Sequence, residues 1–111
     1  MICEEIIVAN TFFKRLAGLM GKDALPRGTA LMLAPCCQVH TLFMKFHIDV
    51  IFLDRQYRVR QVIENLPPWR ISGPVRKSRM VVELAGGTLQ KKVAPGDLLE
   101  IRERCHFDIG R

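Results

Sequence analysis

A mainly β domain is what this sequence predicts: a compact, largely antiparallel, half-closed β-barrel with one or two short helices (α+β). Three observations predict it. Apolar-rich runs of strand length recur at Thr29–Ala34, Ile48–Leu53, Arg58–Ile63 and Met80–Ala85. Proline, glycine, asparagine and aspartate punctuate the gaps between them. Helical spacing with both a start and a stop signal is confined to one stretch near the N-terminus, and at 111 residues the chain fits a single domain, residues 1–111.

Taken in order, Glu4–Ala9 reads as the first strand. Asn10 or Thr11 then caps a short helix with Phe12, Leu16 and Leu19 or Met20 on one face, and Gly21 stops it. Lys14 and Arg15 fall on or near its polar side, where Arg15 suits pairing with a carboxylate or a carbonyl. Asp23–Gly28 is a loop, Thr29–Ala34 a strand, and Pro35 ends that strand. Two strands, about Val39–Met44 and Ile48–Leu53, follow as a hairpin joined through Lys45-Phe46-His47. Asp54–Tyr57 turns the chain into a strand over Arg58–Ile63, and short links of this kind favour an antiparallel meander.

Asn65–Ser78 holds three prolines and cannot be regular structure; it carries Trp69, the chain's single tryptophan. Buried under the loop, Trp69 is a packing anchor; partly exposed, it is a stacking surface. Met80–Ala85 is the next strand, with Glu83 set in an apolar run. Gly86-Gly87 breaks it and suggests a bulge or a close backbone approach. Thr88–Val93 fits one helical turn, Ala94-Pro95-Gly96-Asp97 a type II turn, and Leu98 to about Glu103 a last strand.

Asp49 is the physical oddity. Alternation puts Ile48, Val50 and Phe52 on one face of their strand and Asp49, Ile51 and Leu53 on the other, so a carboxylate lies in a strand that is apolar on both sides. Such a group needs a charge partner or several hydrogen bonds. It is either an anchor for backbone or an ion pair, or a site carboxylate working with His40.

The pattern Pro35-Cys36, Val39-His40-Thr41, Phe43-Met44-Lys45-Phe46, Ile48-Asp49-Val50, Phe52-Leu53-Asp54 resembles the signature of the family known as domain of unknown function 192. Arg15-Leu16-Ala17-Gly18-Leu19-Met20-Gly21, Pro68-Trp69-Arg70, Glu83-Leu84-Ala85-Gly86-Gly87 and Gly96-Asp97 extend the resemblance over nearly the whole chain. It implies a compact β-rich domain with short helices, and no reaction. His47 stands where the family usually has proline, so it is not carried over as a site residue. Cys37 beside Cys36 leaves Cys36 as the family-type cysteine.

Hydrophobic residues make up 49% of the chain, which excludes a disordered protein. The start lacks a basic region followed by a long apolar run, and no stretch has the length of a membrane span, so the expectation is a soluble, cytoplasmic protein with reduced cysteines. Many members of the resembling family carry export signals, which a trimmed chain would lack. The net charge of +6 has one source: seven basic residues, Arg55, Arg58, Arg60, Arg70, Arg76, Lys77 and Arg79, stand against Glu64 alone between positions 55 and 79. That basic face, with Tyr57 and Trp69 inside it, offers nucleic acid or another anionic surface a partner; as a solvated edge it serves solubility, and no nucleic-acid motif accompanies it.

Function classes narrow accordingly. Cys36 or Cys37, His40, Cys105 and His106 supply metal-type ligands, but adjacent Cys105-His106 and the absence of a paired C-x-x-C leave no metal and no cofactor expected. Cys36 as nucleophile, His40 as base and Asp49 as orienting acid form the enzymatic alternative, a hydrolase or transferase. Asp49 and Glu83 facing each other across strands form a weaker acid–base version. The favoured reading is a non-enzymatic binding module for a small polar ligand or a peptide, with His40, Thr41, Lys45 and Asp49 as polar groups and Met44 and Trp69 as wall and lid.

Overall fold

The computed structural model describes residues 5–9, 28–41 and 44–100, with only the backbone described for the first of these segments. The predicted helix over 10–21, with Arg15, and the cysteine–histidine pair at 105–106 lie outside these residues. Five strands form one sheet: β1 (Glu5–Ala9), β2 (Thr29–Leu33), β3 (Ile48–Leu53), β4 (Val59–Leu66) and β5 (Met80–Ala85), in the order β1-β2-β5-β3-β4. All described pairings are antiparallel except β1 with β2.

Two expectations change. The segment around Val39–Met44 is not the hairpin partner of β3; among its described residues the one pairing is a bridge, His40 opposite Ile71. β3's two edges are taken instead by β4 and by β5, whose Val81, Val82 and Leu84 are buried with it. The sheet is also open, without closure into a barrel, and ends at β1 and β4. Closure is unnecessary because irregular segments cover both faces.

β3 is the reason both faces need a cover, since all six of its residues are buried. One face holds Ala30, Met32, Ile51, Leu53, Val82 and Leu84, and the turns after β5 lay Leu89 and Val93 on it. The other holds Leu31, Leu33, Ile48, Val50, Phe52 and Val81, covered by Val39 and Met44. Fully burying side chains of this size contributes about 1.5–3 kcal/mol each.

Turn chemistry holds the ends. The Asp54 carboxylate accepts from the amides of Gln56 at 2.9 Å and Arg58 at 3.0 Å, closing the β3–β4 turn. Ala94–Asp97 has the type II form, with Gly96 at φ 95° and the Asp97 amide donating to the Ala94 carbonyl at 3.1 Å. No helix occurs among the described residues; 85–92 runs instead through hydrogen-bonded turns, Thr88 to Ala85 and Lys92 to Leu89.

The close approach suggested by Gly86-Gly87 is present at Gly86. A β-carbon there would lie 3.0 Å from Asn65 Oδ1 and from both Cβ and the carbonyl oxygen of His47, whereas one on Gly73 would meet nothing within 4 Å. Gly86→Ala is expected to cost about 1–3 kcal/mol, because the strand beside it must shift. Gly73→Ala is expected to be neutral or slightly stabilising. Urea unfolding of the two variants checks this pair.

Candidate functional site

The polar residues of the core sort onto opposite faces of the sheet. Asp49 shares its face with Ile51 and Leu53, whereas Glu83, opposite Leu31 on β2 and Val50 on β3, shares the other with Val81. The two carboxyls therefore do not face each other, and the acid–base pair across adjacent strands is not formed.

Asp49 is fully buried and accepts three backbone hydrogen bonds. Oδ1 takes the amides of Asn65 at 2.8 Å and Gly87 at 3.2 Å, and Oδ2 takes the amide of Leu89 at 2.9 Å. Asn65 and Gly87 both have left-handed backbone, at φ 55° and 86°. The carboxylate thus ties β3 to the end of β4 and to the turns after β5, and its burial is compensated by fixed N–H donors. None of its bonds involves His40, which is exposed and belongs to the segment over the opposite face. The Cys36–His40–Asp49 triad is accordingly not assembled, and Asp49 fills the role of backbone anchor, one of the two readings its sequence position offered.

Thr41 is the corresponding hub of the other face. It is fully buried. Its hydroxyl donates to the Pro67 carbonyl at 2.6 Å and accepts from the Arg70 amide at 2.8 Å. Its backbone amide donates to Arg70 O at 2.8 Å, and its carbonyl accepts from Trp69 at 2.9 Å and from Met44 at 3.1 Å. The Pro67–Ile71 loop is therefore clamped rigidly while its side chains point outward: Trp69 is 56% exposed and Ile71 63%. Trp69 also sits at φ 64°, a conformation unfavourable for an aromatic residue and held here by the Thr41 bonds. Trp69 is thus a displayed surface and not a buried packing anchor.

Below this loop, residues 36–39 continue as a strap against 72–79. The Ser72 amide donates to Val39 O and its hydroxyl accepts from the Val39 amide at 3.0 Å, Val75 donates to Cys37 O, and Cys36 donates to Arg79 O. A cleft of about 390 Å³ opens at its end, lined by Pro35, Cys36, Cys37, Gln38, Ser78 and Arg79. The Cys36 thiol donates to the Gln38 carbonyl at 3.0 Å, and neither Cys36 nor Cys37 is in a disulfide.

Of the six residues predicted to make one pocket, His40, Thr41, Met44, Lys45 and Trp69 lie on this segment and the loop that it holds, with Thr41 and Met44 buried and the other three exposed. The basic face divides. Arg60 pairs with Asp54 of the β3–β4 turn at 3.8 Å, and Arg58 donates to the Gly96 carbonyl of the Ala94–Asp97 turn at 2.8 Å, so these two serve turns. Arg70, Arg76, Lys77 and Arg79 are exposed along the strap, Arg55 is exposed on the turn, and Tyr57 is half-buried against the core. No group of three metal-type ligands occurs among the described residues.

The family profile described as DUF192, an uncharacterized group, matches residues 3–101. The chain belongs to the DUF192 family. It is 38% identical over 96 residues to a UPF0127 protein of Pyrococcus horikoshii, covering 82% of this chain and 80% of that one. A UPF0127 protein of Pyrococcus furiosus is 36% identical over 102 residues, covering 86% and 85%. Two crystal structures share the fold of this DUF192 domain. One, from Sinorhizobium meliloti and described as a candidate transcription regulator, superposes with a TM-score of 0.73 at 24% identity, over 86% of this chain and 79% of the other. The second, a protein of unknown function from Novosphingobium aromaticivorans, gives 0.71 at 23% identity, over 86% and 74%. No helix among the described residues of the DUF192 domain is long and apolar enough to cross a membrane.

Sequence reasoning missed the perturbed state of Glu83. Burial pushes its carboxyl from the ordinary 4.5 up to about 8, and no cation among the described residues offsets that. Below pH about 4.5 the group is neutral in both folded and unfolded chains. Between about 4.5 and 8 the unfolded chain ionises first, so the native state loses about 1.4 kcal/mol per pH unit from this group. Above 8 the loss levels off. Glu83→Gln is expected to gain stability over the wild type as pH rises through that window, measured by denaturant unfolding of both proteins at each pH. Asp49→Ala, which leaves three buried amides without their acceptor, is expected to cost about 3 kcal/mol or more in the same assay.

Proposed function

We propose that this domain is a non-enzymatic binding module for a small polar ligand or a peptide segment, and that its recognition surface is the loop carrying Trp69. One observation carries the reading: Thr41, wholly buried, spends its hydroxyl and both backbone groups on holding Pro67–Ile71 in place, while Trp69 and Ile71 stand in solvent. A left-handed tryptophan on a rigid loop has already met the ordering cost that binding otherwise imposes. Large amphipathic aromatics at such positions are the commonest anchors of binding energy. His40, bridged to Ile71 of the same loop, supplies a polar group, and Lys45 an exposed cation on the segment that holds the loop. The enzymatic alternative has lost its orienting acid to the opposite face, which favours the binding reading over it. We assign the domain to the cytoplasm, a reducing compartment that suits Cys36 and Cys37, which stand outside any disulfide.

Because Trp69 is the chain's single tryptophan, its fluorescence reports the proposed surface directly. A panel of small polar metabolites and random octapeptides is expected to yield binders that shift Trp69 emission. Trp69→Ala should weaken them by about 10-fold or more in calorimetry; Cys36→Ser should leave them within about twofold. Binders indifferent to Trp69→Ala would contradict the proposal.

A further inference from the structure

We propose that the natural ligand is an extended acidic peptide, laid along the strap from Trp69 to Arg79 with an apolar side chain against Trp69 and Ile71 and its carboxylates on Arg70, Arg76, Lys77 and Arg79. This rests on the binding reading above and names its ligand class.

The strap has a one-sided charge. Residues 35–48 and 67–82 contain five Lys or Arg and not one Asp or Glu. In the fold these two stretches are not merely near in sequence but hydrogen-bonded to each other, from Thr41 with Arg70 at one end to Cys36 with Arg79 at the other. Their inward side chains, Val39, Thr41, Ser72 and Ser78, are buried, so the cations are left on the outer side. No salt bridge among the described residues involves Arg70, Arg76, Lys77 or Arg79. Like charges held this close repel one another, and an anionic partner relieves that repulsion while being steered toward the surface.

An acidic peptide fits better than a nucleic acid. Sequence-tolerant binding of single strands uses successive aromatic platforms, and here Tyr57 is packed against the core, which leaves Trp69 as the one exposed aromatic among the described residues. The neighbouring exposed Ile71 offers an aliphatic contact that suits a side chain and not a base. At the end of the strap, the cleft beside Arg79 has room for one further side chain.

The test uses a fluorescein-labelled decapeptide of alternating glutamate and phenylalanine, a length-matched decapeptide with glutamine in place of glutamate, a ten-nucleotide oligothymidylate, and phosphatidylserine vesicles. The glutamate peptide is expected to bind at least 10-fold tighter than the other three probes at 150 mM salt. Arg76→Glu with Lys77→Glu is expected to weaken it by 10-fold or more. Lys91→Glu with Lys92→Glu, an equal charge change on exposed residues of the turns that follow β5, is expected to change it less than twofold. Circular dichroism of each variant separates loss of binding from loss of fold. Equal weakening by both pairs would overturn the proposal in favour of net charge alone, and tighter binding of the oligonucleotide or the vesicles would overturn it in favour of those surfaces. Equal binding of the two peptides, still lost in Trp69→Ala, would refute the acidic ligand and leave the Trp69 surface standing. Binding of the glutamate peptide unchanged by Trp69→Ala would refute the surface itself.

Discussion

A carboxylate in the middle of a strand buried on both faces is the constraint that the rest of this structure answers. Asp49 cannot be hydrated where it lies, so the chain brings three backbone amides to it. Those amides come from the end of β4 and from the turns after β5, two segments that no strand pairing would hold together. The two left-handed residues that offer the donors, and the glycine that lets β5 end against His47, follow from that demand.

With one face closed by this anchor, the other face is left to a strap built without regular structure. Thr41 does there what Asp49 does behind it, but its partners carry outward-pointing side chains. The sheet thus separates two duties. A charged hub fixes the fold, and a neutral hub displays a loop whose tryptophan and isoleucine are exposed. Glu83 lies on the strap's side of the sheet, and its neutral form is the one that the apolar surroundings favour.

Strands β2, β3 and β5 were legible because their burial pattern is written locally in runs of apolar residues with proline or glycine at the ends. The type II turn at Pro95-Gly96 was legible for the same reason. Partner choice was not. Val39–Met44 has the composition of a strand, yet the edge of β3 that it was expected to fill goes to β5, a segment much later in the chain, because pairing is decided by competition among segments and not by any one of them. The face on which Asp49 and His40 lie depends on that pairing, so their separation was equally hidden. Residue types pointed to both Asp49 and Thr41, and in each case what sequence could not supply was the identity of the backbone groups that they hold. The exposure of Trp69 depends on three-dimensional cover alone, and a proline-rich context is compatible with either outcome.

Amide hydrogen exchange in Asp49→Asn, with every rate normalised to the amide of Ile51 in the same sample, tests the separation of the two hubs most directly. The account predicts that the amides of Asn65, Gly87 and Leu89 lose protection by an order of magnitude or more, while those of Thr41, Arg70 and Ser72 keep theirs. Loss of protection in both sets together would contradict it, and would mean that Asp49 and the Trp69 loop belong to one coupled site.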